Sequence, residues 1–310
     1  MEEETKKHKI IGYIFNIKEW AIFFKRSVML VLILLASFVF WFFPVSILVA
    51  PFYSFTQDST PTIATYKAIV GKTTTKALQT GLQDMVDEGY VTNFLGVRTW
   101  IDNKYYEQVG KIEMYRIGII TFENNLARNR GTGGANKYIV QARSDIYADY
   151  TIPIFTSFTT RTKQAISNID LYIKQLEADD KKDMSEKRAV FIVNSDNLAV
   201  ALDKLKQQLQ TNLMREISFT TQDDKFYRIK GNLIAMDYIL KGIEYDFKNK
   251  MIDKSSYEEN FIPIMKLIKQ AISQHHIIIT ESLGHVSKLE KEANLIAQKL
   301  AELRDKLNNG

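Results

Sequence analysis

Four histidines, one glycine-lysine-threonine run and 36 carboxylates are the residues of this chain whose types could do chemistry, so their spacing is weighed first. His275, His276 and His285 fall near one turn, and His8 stands alone near the N-terminus. A zinc-binding helix needs ligands at positions i and i+4, whereas His275 and His276 are adjacent and point about 100° apart; no HExxH run is present. They read as solvated or capping side chains, so no metal is expected. The run VGKTTT, residues 70–75, invites comparison with a phosphate-binding loop, but that loop needs a glycine where this chain has Tyr66 and a strand before it. GTGG, residues 131–134, lacks the lysine and hydroxyl that would follow a phosphate cradle and reads as a helix connection. No nucleotide cofactor is expected. There is no GxSxG turn, and the absence of cysteine removes thiolate metal sites, cysteine nucleophiles and disulfides. Carboxylates alone leave room for a two-carboxylate enzyme acting on peptidoglycan, yet nothing singles out a pair, so no catalytic residue is assigned and an enzymatic role is disfavoured.

One stretch could recognise a partner. Between Gly89 and Gly110, Tyr90, Phe94, Trp100, Tyr105 and Tyr106 crowd together without helical spacing, in what reads as an irregular loop or short hairpin. Rigid aromatics with polar tips dominate contact hot spots, and the same residues equally suit a loop that closes a core.

The elements that would position these residues are organised around residues 27–57, which carry no charge over more than the roughly 20 residues that a helix needs to cross a bilayer. The run is too long for a signal-peptide core, and Trp41, Phe42, Phe43, Phe52 and Tyr53 stand in its far half, where an aromatic belt would lie; Pro44 would kink it. Lys6, Lys7, Lys9, Lys18, Lys25 and Arg26 precede it, while only Asp58 is charged between it and Tyr66. The positive-inside rule therefore expects a cytoplasmic N-terminus and a bulk outside, in the periplasm if the membrane is a bacterial inner membrane. The expected division is a cytoplasmic amphipathic segment (1–26), a single transmembrane anchor (27–53), a membrane-proximal helical and loop region (54–134) and a helical bundle (135–310).

The bundle is read from periodicity. Nine of the 14 glycines lie between Gly71 and Gly134, so the first part is expected to be looser. Beyond Ala135 the pattern is helical throughout: Leu198, Leu202, Leu205 and Leu209, then Leu233, Met236, Leu240, Ile243 and Phe247, repeat at three and four. Capping boxes are expected at Asp183 with Glu186, Ser255 with Glu258 and Ser287 with Glu290. The fold class is all-α, with about seven to nine helices. The formal charge of +5 is spread along every segment without a basic block, which argues against nucleic acid.

The runs 189–209 and 223–247 resemble an uncharacterised bacterial membrane-protein family, domain of unknown function 2333. The likeness rests on Asp196, Asn197 and Leu198, then Phe226, Tyr227, Gly231 and Ala235, then Glu244, Asp246 and Phe247; Trp100–Gly110 and the region of Arg128 and Arg130 add to it. It implies a single-pass inner-membrane protein with a helical outer domain and carries no activity. The expected function is a membrane-anchored periplasmic scaffold or adaptor that works by protein contact in the envelope, with self-association left open.

Overall fold

The protein is represented by a computed structural model that describes residues 20, 24–37, 69–90, 100–128, 134–149, 158–178, 189–216, 218, 221–274, 276, 279 and 281–309. The chain divides into two units, Met1–Phe52 and Tyr53–Gly310. In the first, residues 24–37 form a helix, α1. Eight consecutive apolar residues in it, Val28 to Leu35, are between 42% and 62% exposed. At 100° per residue, eight positions cover every side of the helix. Among the described residues no helix is long and apolar enough to cross a membrane; most of the uncharged run 27–57 lies outside them, as does the expected cytoplasmic helix apart from its end.

The second unit is helical, with no strand among its described residues beyond an isolated antiparallel bridge, Arg128 with Ala135. Its helices are α2 (Lys72–Asp87), α3 (Trp100–Thr121), α4 (Lys137–Ile146), α5 (Phe158–Glu177), α6 (Ser195–Leu213), α7 (Gln222–Asp253), α8 (Ile262–Ile272) and α9 (His285–Asn309). α7 is the axis. It has 32 residues, about 48 Å at 1.5 Å per residue, and α2, α3, α6, α8 and α9 all pack on it. The spacing expected for it holds: Leu233, Met236, Leu240 and Phe247 are fully buried and Ile243 nearly so. The leucine stripe of α6 is buried in the same way.

Glycines let two helices lie close against α7. A Cβ on Gly110 of α3 would stand 2.1 Å from the Arg228 carbonyl oxygen, and one on Gly231 of α7 would stand 2.0 Å from that of Glu107. Neither backbone could yield, so the two helices meet main chain to main chain, and the buried Asn232 side chain donates to the Gly110 carbonyl at 2.8 Å. On another face of α7, Gly242 leaves room for Thr74 of α2.

Several boundaries differ from those expected. Residues 89–110 are no loop or hairpin over their second half, because α3 begins at Trp100. The helix with the Leu198 stripe starts at Ser195 and is capped by Asn194, whose side chain accepts from Asn197 N; Asp183 and Glu186 lie outside the described residues and too far upstream to cap it. Ser255 adopts a left-handed turn (φ 51°), and the short π-helix Tyr257–Phe261 follows Ser256 without a side-chain cap. Ser256 Oγ instead donates back to the Met251 carbonyl at 3.0 Å. α9 begins at His285, two residues before Ser287, after Gly284 takes a positive φ of 70°. A glycine turn sets that start in place of a capping box.

Candidate functional site

The C-terminal end of α2, the first half of α3 and the middle of α7 meet around charged groups that are almost fully buried. Lys104, Glu107 and Lys111 stand at spacings of three and four on α3, which puts them on one face. They continue toward the N-terminus the stripe that Tyr115, Ile119 and Phe122 form further along. Lys104 and Lys111 are each 3% exposed and Glu107 6%, burial that such residues reach only when paired.

The pairing is mutual. Lys104 Nζ lies 2.6 Å from Glu88 Oε2 and 3.6 Å from Glu107 Oε1. Lys111 Nζ lies 3.0 Å from both Glu88 oxygens and 3.1 Å from Glu107 Oε1. Gln108 Nε2 donates to the carbonyl of Gly89 at 2.6 Å, and Gly89 takes the positive φ (75°) with which the chain leaves α2. From α7, Lys230 donates to the Gln274 carbonyl at 3.1 Å. Burial alone would push the Glu107 carboxyl up, but Lys111, Lys104 and Lys230 outweigh it and hold the group below its ordinary value. For Lys111 burial would lower the ammonium, and Glu107 and Glu88 outweigh that, so it rises. Both groups stay ionised because each supplies the other's counter-charge.

One turn further along, the Tyr238 hydroxyl donates to Asp84, and Tyr115 packs where a Cβ on Gly81 would come within 2.2 Å of its hydroxyl. Burial raises both phenols well above their usual range. A second polar joint links α3, α6 and α7: Glu113 accepts from both Nε and Nη2 of Arg228 and from Asn212 Nδ2 at 2.9 Å, with Arg215 at 3.6 Å.

The glycine-lysine-threonine run sits at the start of α2, and its anion-binding position is filled by the chain itself. Asp246 of α7 accepts from the backbone nitrogens of Gly71 at 3.0 Å and Thr74 at 2.8 Å, and lies 2.5 Å from Thr74 Oγ1. A carboxylate held by a helix N-terminus occupies the place a phosphate would take.

The rings of His276 and His285 stack at 3.7 Å, 10° from parallel. Ring-plane lone pairs in parallel planes do not converge on one ion. Among the described residues no group of three His, Asp or Glu could hold a metal. His275 lies outside the described residues.

The five aromatic residues expected to form an interface are placed as follows. Tyr90 packs on the core, its ring 5.1 Å from that of Phe158, and Tyr106 also packs against the core. Tyr105 is half-buried, edge-on to Tyr106 at 5.1 Å. Trp100 opens α3 and Phe94 lies outside the described residues. Sequence reading missed Lys104, Glu107, Lys111 and Lys230, since charged residues are ordinarily assigned to solvent. The available signal was phase: stepped back by threes and fours, the apolar stripe of α3 lands on them.

The fold and this internally paired joint define an all-helical protein built on one long axial helix. The profile of an uncharacterised protein family conserved in bacteria, DUF2333, matches residues 17–222, two-thirds of the chain, and the chain belongs to that family. The match takes in α1 to α6 and includes Asp196–Leu198 and Trp100–Gly110, while the likeness at Phe226 to Phe247 lies beyond it. No curated protein and no solved structure matches the chain.

Proposed function

We propose that the chain is a membrane-anchored helical scaffold of the bacterial envelope, held by a span over residues 27–53 and acting through protein contacts made by its helical body outside the cytoplasm. The observation that carries this reading is α1, where Val28 to Leu35 expose apolar side chains on every side of a helix. Contiguous apolar surface of that kind is unfavourable in water and suits lipid, and it lies within an uncharged run of sufficient length. The chemistry of the body favours a scaffold over an enzyme. Glu88 and Glu107 are held by lysines, Glu113 by an arginine, Asp84 by Tyr238 and Asp246 by a helix N-terminus. Glu107 pairs within α3, and the other four each join one helix to another, which is a structural task.

Deleting residues 27–53 should release the protein from membranes that survive carbonate washing in the full-length form; a full-length protein that carbonate extracts would remove the anchor. The contact role is tested at the start of α3. Trp100→Ala with Tyr105→Ala should abolish a specific crosslinked partner in the native envelope while the melting temperature stays within about 2 °C, the shift expected of a surface change of up to about 0.5 kcal/mol. A melt that falls by many degrees, with crosslinks lost in proportion to folded protein, would place both residues in the core.

A further inference from the structure

Asp237 is a buried carboxylate whose hydrogen bonding is half unused. It lies on α7, 3% exposed, and Lys241, one turn on, reaches its Oδ2 at 2.6 Å. Its Oδ1 is buried without a hydrogen-bond partner. The groups that act on it come from three helices. Lys241, Glu244 and Tyr238 share its own helix, Lys269 belongs to α8 and Tyr115 to α3. Among the described residues the hydrogen bond and ion pair to it come from Lys241, so one oxygen is compensated and the other is left as charge in a low-dielectric interior.

We propose that Asp237 is a protonation switch on α7, which binds a proton as pH falls, releases Lys241 and tightens the packing of α8 on α7. An ionised carboxylate with an unpartnered oxygen carries a desolvation penalty that the neutral acid largely escapes. Burial is the largest influence on this carboxyl and raises it; Lys241 and Lys269 oppose it, and Glu244 adds to it. The folded chain therefore keeps the proton to a higher pH than the unfolded chain does. The native state gains stability as pH falls through the folded value toward the unfolded one, and loses that contribution as pH rises. This is the reverse of Glu107, which the lysines hold ionised.

The test uses full-length protein in detergent, with amide hydrogen exchange read at Ile262–Ile272 between pH 4 and 7 and exchange times corrected for the intrinsic rate. Protection of α8 should rise as pH falls, by roughly tenfold for each unit that separates the folded and unfolded values. Asp237→Asn should flatten the dependence, and Lys241→Gln, which removes the contact favouring the ionised form, should move its midpoint to higher pH. An unchanged slope in Asp237→Asn overturns the proposal. Should that variant fail to fold, a midpoint in Lys241→Gln that stays put or moves to lower pH overturns it instead.

Discussion

Lys111 touches two carboxylates on two helices, and its removal would expose the cost that the joint now offsets. Lys111→Met leaves Glu107 buried with less than its counter-charge, and breaking a buried pair from one side costs about 3–5 kcal/mol. The urea midpoint should fall accordingly. Adding Glu107→Leu should recover most of the loss, because the desolvated charge goes with it; a double variant no better than the single would show that the pair stabilises by more than mutual compensation. The pH dependence has a definite sign. With its folded value held below 4.5, Glu107 contributes stability above that pH and loses it as pH falls through the folded value. The acid limb of the stability curve should therefore be shallower in the double variant. None of these residues was read as buried from the sequence: a lysine in a helical pattern is ordinarily solvated, and the phase of the α3 stripe was the signal against that.

At the scale of the helices, what could be read in advance was whatever apolar spacing encodes. The seam of α7 and the leucine stripe of α6 follow directly from three-and-four periodicity, and Leu240→Asp should unfold the second unit, since an unpaired carboxylate there costs several kcal/mol against a typical stability of about 5–15. Retained helical circular dichroism and melting would contradict its burial. The start of α3 was not legible, because its inward face is polar and its aromatic residues lie off a clean stripe. Helix starts at Ser195 and His285 escaped for a related reason: an asparagine cap and a glycine turn do the work that was expected of Asp183 with Glu186 and of Ser287 with Glu290. The likeness residues Gly231 and Asp246 gain physical roles, as the point where α3 and α7 touch and as the cap of α2. Gly231→Ala forces Cβ against the Glu107 carbonyl and should lower stability by about 1–3 kcal/mol. Asp246→Ala should lower it by about 1–2 kcal/mol through the lost cap. An unaltered chemical melt in either variant would contradict that role.

For the molecule as a whole, the two units differ in the surface they present. The second buries its apolar stripes around α7 and ties its charges together in pairs, whereas α1 presents apolar side chains on all sides. Positive charge gathers on one side of the uncharged run: six lysines and arginines precede it, and one aspartate is all that follows it before Tyr66. The most direct measurement is a pair of reporter fusions, using an enzyme that is active only outside the cytoplasm. Fused after Gly310 the reporter should be active, and inserted before Lys6 it should be silent. Silence after Gly310 together with activity before Lys6 would reverse the orientation, and silence at both positions would remove the span.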